Sequence, residues 1–263
     1  MQIIAQTANS VIYAVENDSN TKLAKDSHFV LKGGTVWYKR KQALGPGKDI
    51  DESDGIIKKE ATIYKTLGNH DRILKCFGSE VDVLNGQDSL PKAWALRLER
   101  SPLGSLRNTI IGTYNNPPSQ LIRLQLAHQF SGGVAHLHHM EIIWGDLSTR
   151  NAFLFDNCDW YGCEDRYCPP DSDNPQLHDV GTMNRELFAL ASAICEIIES
   201  KLPYGSDTEV LGGDVAKQLV NGKWPDLSDD NPARAVIKKL WGYSYKSSNQ
   251  VVQDLQNLLV SCE

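Results

Sequence analysis

The sequence has no excess of basic charge, no apolar run long enough to cross a bilayer and no closely spaced pair of cysteines. Against 27 Lys and Arg stand 33 Asp and Glu, a formal net charge of -6, which excludes the basic footprint that nucleic-acid binding requires. The longest nearly apolar stretch, 187–198, is shorter than the roughly 20 residues of a spanning helix and carries Glu196 inside it, so no membrane segment is expected. The cysteines, at 76, 158, 163, 168, 195 and 262, include no C-x-x-C. The five-residue recurrence of Cys158, Cys163 and Cys168 ahead of His178 therefore reads as ordinary thiols rather than as a zinc site. The opening residues lack the basic segment of a secretory signal, and Cys262 is penultimate rather than fourth from the end, as a prenylation box needs. Reduced thiols in a cytoplasmic or nuclear protein are the expectation.

What is present is an ordinary globular composition, 41% hydrophobic and 23% charged over 263 residues, enough for one large domain or two lobes with separate cores. The β-branched or aromatic runs 11–16 and 28–32, separated by the turn residues 17–20, predict a hairpin. A Gly-, Pro- and Asp-rich loop at 43–55 leads into an amphipathic helix over 56–67 closed by Gly68. A strand pair at 73–84 and 93–99 follows, with Asn85-Gly86 in the turn. Near Arg100 the pattern changes to helices, predicted over 103–110, 119–139, 184–199, 208–221, 232–241 and 248–261. Ala152 to Phe155 reads as a short strand and 163–182 as a loop rich in Pro, Asp and Cys.

Asp146 and Asn151, in Trp144-Gly145-Asp146-Leu147-Ser148-Thr149-Arg150-Asn151, have the spacing of a phosphoryl-transfer loop. There the Asp takes the proton of the attacking hydroxyl and the Asn holds a metal ion that neutralises phosphate charge. Together with a strand-rich first part and a helical second part, this loop resembles that of the eukaryotic protein-kinase family, and the likeness extends over nearly the whole chain. Val30-Leu31-Lys32 resembles the family's V-A-I-K, which implies that Lys32 clamps the α and β phosphates and that Glu60 is its acidic partner. Leu96 to Leu106 resembles the last strand of the small lobe and the hinge, with Leu98 as gatekeeper and the backbone through Glu99 and Ser101 holding adenine. Glu186 to Leu190 resembles the D-x-W-S-L-G helix that anchors the large lobe, with Glu for Asp. Residues 222–227 and 241–255 resemble endings of divergent kinase-like proteins of filamentous fungi. Singly, a strand-end lysine and a helix carboxylate are ordinary surface groups. Their order, and their agreement with Asp146 and Asn151, carry the resemblance. The histidines His136, His138 and His139 look ligand-like, but at the end of the long helix they read as packing and surface positions.

The implied fold is α+β and two-lobed: a single kinase-like domain over 1–263, with a small, mainly antiparallel β lobe carrying one helix (1–100) and a larger helical lobe (101–263). Several departures bear on activity. The three glycines of the phosphate-cradling G-x-G-x-x-G fall on Ala5, Thr7 and Ser10, and a loop so near the first residue is expected to fray. Trp144-Gly145 stands where the family has His-Arg, removing the arginine that receives an activation-loop phosphate, so regulation by such phosphorylation is not expected. There is no D-F-G. Glu164 or Asp165 could supply its metal-binding carboxylate, or 161–170 could be the end of a shortened activation segment. Asp159-Trp160 is a further candidate, although the seven residues between Asn151 and Asp159 look too few for two strands and a turn.

The leading expectation is a pseudokinase or very weak kinase that regulates a protein partner. The alternatives are an active Ser/Thr kinase using ATP and Mg²⁺, with Asp146, Lys32 and Glu60 as catalytic groups and Asn151 with Glu164 or Asp165 as metal ligands, and a small-molecule phosphotransferase, which Gly145-Asp146 also suits. Without activity, no cofactor is implied. Ser148 and Arg150 leave the acceptor class open.

Overall fold

The computed structural model describes residues 2–6, 10–14, 28–33, 37–38, 41–42, 50–82, 92–154, 159–160, 183–205, 215, 218 and 221–262. The chain divides into two compact units, Met1–His70 with Leu74–Arg100 and Asp71–Ile73 with Ser101–Glu263. The architecture is α+β, and no helix among the described residues is long and apolar enough to cross a membrane.

The first unit is a five-stranded antiparallel sheet. Its strands are β1 (Gln2–Gln6), β2 (Val11–Ala14), β3 (Phe29–Gly33), β6 (Cys76–Asp82) and β7 (Lys92–Glu99), in the order β1-β2-β3-β7-β6. Two short strands, β4 (Trp37–Tyr38) and β5 (Lys41–Gln42), pair separately. Val11, Tyr13, Leu31 and Ala95 form the core of one face. Register puts Lys32 opposite Ile12 on one side and Leu96 on the other, so Lys32 shares the opposite face with them. Helix α1 (Ile50–Leu67) packs against β7 and β6. Its buried residues Ile57, Tyr64 and Leu67 fall on one helical stripe, and Glu60 lies on that same stripe between them. The helix stops at Gly68, whose φ of 65° is the left-handed cap that glycine adopts freely.

The sheet includes a strand that the sequence pattern did not predict: β1 pairs with β2 from Gln2↔Ala14 to Gln6↔Val11. Of the three glycine-equivalent positions, Ala5 lies in β1 opposite Ile12 and Ser10 just precedes β2; Thr7 is outside the described residues.

The second unit is built on five helices among the described residues: α2 (Leu106–Gly112), α3 (Gln120–His139), α4 (Met183–Glu199), α5 (Arg234–Trp241) and α6 (Ser248–Val260). Helix α3 packs on both α4 and α6, and α4 also meets α5. Every residue of α4 from Glu186 to Ile198 is buried, a helix enclosed all round rather than amphipathic. Phe130 and Val134 of α3, Phe188 and Ile194 of α4, Ile237 of α5 and Val251 of α6 belong to one core.

Two features of this unit make predictions. A Cβ at Gly133 of α3 would meet the Arg72 carbonyl oxygen at 3.3 Å, whereas a Cβ at Gly132 would meet nothing within 4 Å. Gly132→Ala should therefore stabilise by about 1 kcal/mol in chemical denaturation. In Gly133→Ala the same helix gain is offset by crowding, and the two variants should separate in that order. At the end of α4, burial works to raise the Glu199 pKa. Hydrogen bonds from the Ser228 hydroxyl (2.6 Å), the Asn231 amide (2.5 Å) and the Ser228 N–H (2.9 Å) outweigh it and leave the pKa lowered. A depressed carboxyl contributes stability that is present above the ordinary glutamate range, about 4.3, and lost as pH falls through the native value. Glu199→Gln should therefore flatten the acid limb of the stability–pH curve.

Candidate functional site

In the first unit, Lys32 of β3 and Glu60 of α1 come together at 2.7 Å, with side chains 31% and 23% exposed. The strand register turns Lys32 to the face on which Leu96 is buried, and the stripe of α1 turns Glu60 inward, so two elements distant in sequence deliver opposite charges to one point. Leu98, two residues along β7 from Leu96, is buried at 4%. The Glu99 N–H donates to the Lys75 carbonyl (2.9 Å) and its carboxylate lies 3.6 Å from the Lys75 ammonium, while the Arg100 N–H donates to the His28 carbonyl.

In the second unit, the loop carrying Asp146 and Asn151 is pinned residue by residue. Leu147 is buried in the core and Trp144 packs against it. Gly145 has φ 76°, and its N–H donates to Glu186 Oε1 at 2.5 Å. The other carboxylate oxygen of Glu186 bonds His138 Nε2 at 2.7 Å, and His138 Nδ1 reaches the Ser248 hydroxyl at 2.9 Å. At the far end, the Thr149 hydroxyl donates to Glu196. The Arg107 guanidinium of α2 reaches Glu196 with both Nε and an η nitrogen (2.9 Å for the latter) and also reaches the Thr149 hydroxyl at 2.9 Å. Arg107 is 4% and Glu196 0% exposed. Between these anchors Asp146 is exposed to solvent; just beyond them Asn151, which ends a 3₁₀ turn over Thr149–Asn151, is half-buried.

The distances explain the arrangement. Glu186 and Glu196 are separated by a rise of about 15 Å along α4, and the backbone from Gly145 to Thr149 stretches at most about 14 Å. The side chains of Glu186, Glu196 and Thr149 add their own reach, so the short loop can meet both carboxylates. Beyond it, β8 (Ala152–Phe153) pairs with β9 (Asp159–Trp160) through Ala152↔Trp160 and Phe153↔Asp159. This corrects the residue count made from the sequence: two-residue strands let a hairpin fit where longer ones would not. Leu154 is tied back to the start of the unit, its N–H donating to Gly104 O at 2.7 Å and its carbonyl accepting from the Ser101 hydroxyl and the Leu103 N–H. The Ser101 side chain is thus committed to the backbone at Leu154 and Gly104.

Glu164 and Asp165, the candidate metal carboxylates, lie outside the described residues, as does the rest of 161–182. Among the described residues no cluster of three His, Cys, Asp or Glu could hold a metal. The loop itself offers the carboxylate of Asp146 and the amide oxygen of Asn151, hard oxygen donors of the type Mg²⁺ takes, and a fuller set would draw on Glu164 or Asp165.

Sequence reasoning missed Arg107, Thr149 and the structural part played by His138. A signal existed for Glu196: a carboxylate inside an otherwise apolar, enclosed helix must find a partner. Which partner it finds depends on how α2 sits against α4, and periodicity does not give that.

Ser148 makes a separate prediction. It is fully buried, and among the described residues its hydroxyl takes no hydrogen-bond partner. An unsatisfied buried hydroxyl costs about 1 to 3 kcal/mol, so Ser148→Ala should leave the melting temperature unchanged or raised. A clear fall would show that this hydroxyl serves the fold.

No family model matches the chain, and no curated protein matches it.

Proposed function

We propose that this chain is a divergent protein-kinase-like protein of the fungal type, two-lobed in the kinase manner. In this reading Lys32, held by Glu60, binds the phosphates of ATP, and the protein transfers phosphate poorly or not at all and acts in the cytoplasm or nucleus as a regulator of a protein partner. The observation that carries the reading is the Lys32–Glu60 pair at 2.7 Å. A part-exposed ion pair contributes only about 0 to 1 kcal/mol to stability, so folding gives little reason to keep a lysine on a sheet face and a carboxylate on the inward stripe of a helix. Binding phosphate oxygens gives one. The lost glycines at Ala5, Thr7 and Ser10 and the missing D-F-G favour weak or absent transfer.

The alternative, an active kinase, is favoured by the exposure of Asp146 on a loop held at both ends. In it the Asp146 carboxylate accepts the proton of a protein hydroxyl as that oxygen attacks the γ-phosphorus and the β,γ-bridging oxygen leaves with its electron pair. Lys32 would hold the α and β phosphates, and Glu60 would hold Lys32. Mg²⁺, when bound at Asn151 with Glu164 or Asp165, would supply neutralising charge to the phosphates. A third reading, a small-molecule phosphotransferase, uses the same Asp146.

The test is a thermal scan with ATP, with and without Mg²⁺, on the wild type and Asp146→Ala, run beside an autophosphorylation assay. The proposal expects an ATP-dependent shift in both proteins and no transfer above background. A metal-dependent shift with autophosphorylation abolished by Asp146→Ala would establish the active kinase instead.

A further inference from the structure

We infer that Arg107, Glu196 and Thr149 are positioning residues that set the conformation of the loop bearing Asp146 and Asn151. This deepens the proposed function and rests on it for the role of the loop. The Arg107–Glu196 pair is 4% and 0% exposed, so both charges have lost their water. Such a pair is a poor way to stabilise a fold, because well-packed apolar side chains of the same volume do as well or better. What an apolar pair would not do is hold a hydroxyl. Thr149 donates to Glu196 Oε1 and accepts from Arg107 Nε, so its proton and one of its lone pairs are directed at opposite charges.

Thr149 opens the 3₁₀ turn that closes on Asn151, with the Asn151 N–H directed at the Ser148 carbonyl at 3.4 Å. Fixing Thr149 therefore fixes the turn from which the Asn151 side chain projects. At the other end Glu186 fixes Gly145, next to Asp146. Both anchors come from α4, a helix enclosed from Glu186 to Ile198. The loop takes its shape from the core, and Gly145 offers no side chain to read an added phosphate.

The test uses Thr149→Val, which removes the hydroxyl at nearly constant shape and leaves Arg107 and Glu196 to pair, with Thr149→Ser as the conservative rescue. Amide hydrogen exchange over 145–151 should rise about tenfold in Thr149→Val. Exchange in α3 and α4 should stay as in the wild type, and Thr149→Ser should restore the loop. Unaltered loop exchange, a rise spread equally over α3 and α4, or a failure of Thr149→Ser to restore the loop would overturn the inference. If the wild type shows no response to ATP at all, the proposed function fails. The exchange measurement, which needs no nucleotide, still decides whether this trio sets the loop.

Discussion

Glu196→Ala is expected to lower the melting temperature by about 6 to 20 °C. The substitution leaves the Arg107 guanidinium enclosed with its counter-charge gone, and breaking one side of a buried pair costs about 3 to 5 kcal/mol. For a protein of this size each kcal/mol moves the midpoint by about 2 to 4 °C. The same physics makes a second, opposite expectation. Replacing both partners with apolar side chains, Arg107→Met with Glu196→Leu, removes both desolvated charges together and should recover most of the loss. The recovered protein should still show rapid exchange at 145–151, because the Arg107 and Glu196 contacts to Thr149 are then gone. Differential scanning calorimetry on the three proteins checks the argument. A loss below about 2 °C in Glu196→Ala would mean that water reaches Arg107 and that the pair is not buried in solution.

The second large effect concerns rate. Phosphate transfer to protein hydroxyls is expected to run about 10⁴ to 10⁶ below the usual kinase range of about 1 to 100 s⁻¹. Each preorganised electrostatic group lost from a site costs about two to three orders of magnitude. In the pseudokinase reading two such groups are lost: the glycine backbone, where the sequence has Ala5, Thr7 and Ser10, and the carboxylate of the absent D-F-G. Together they correspond to about 5 to 8 kcal/mol of barrier, a bracket rather than a sum because such losses are seldom additive. Single-turnover transfer from labelled ATP measures the deficit directly. Restoring Ala5→Gly, Thr7→Gly and Ser10→Gly together should recover about 10²-fold if the cradle is half of the problem. Turnover in the ordinary range in the unaltered protein would remove the pseudokinase reading.

The elements that could be read from the sequence are those whose pattern is set locally. Helix α3 begins at Gln120, one residue after its N-cap Ser119 and within one residue of the span drawn from periodicity, and α4 and α6 agree as closely. Strand β7, expected over 93–99, runs from Lys92 to Glu99. Other boundaries were decided by partners that a linear reading does not see. Residues 50–55, the end of the segment read as a loop for its Gly, Pro and Asp content, are helical, since one glycine within a helix costs only about 1 kcal/mol and tertiary packing overrides so weak a signal. Strand β1 exists because β2 lies beside it. Lys32 and Glu60 could be singled out because their order matches a known pattern, and their meeting at 2.7 Å follows from strand register and helix stripe. The trio at Thr149 could not, since its members come from α2, α4 and a loop and share no spacing rule.

The most direct measurement is a calorimetric titration of ATP into the wild type and into Lys32→Ala. Lys32 is part-exposed and its pairing contributes little to folding, so the variant should remain folded and report on binding alone. The account predicts saturable binding to the wild type and loss of about tenfold or more in affinity for Lys32→Ala, the magnitude of about 1.4 kcal/mol or more for a charged contact to phosphate. Equal affinity in the two proteins, or no binding to the wild type at millimolar ATP, would contradict it.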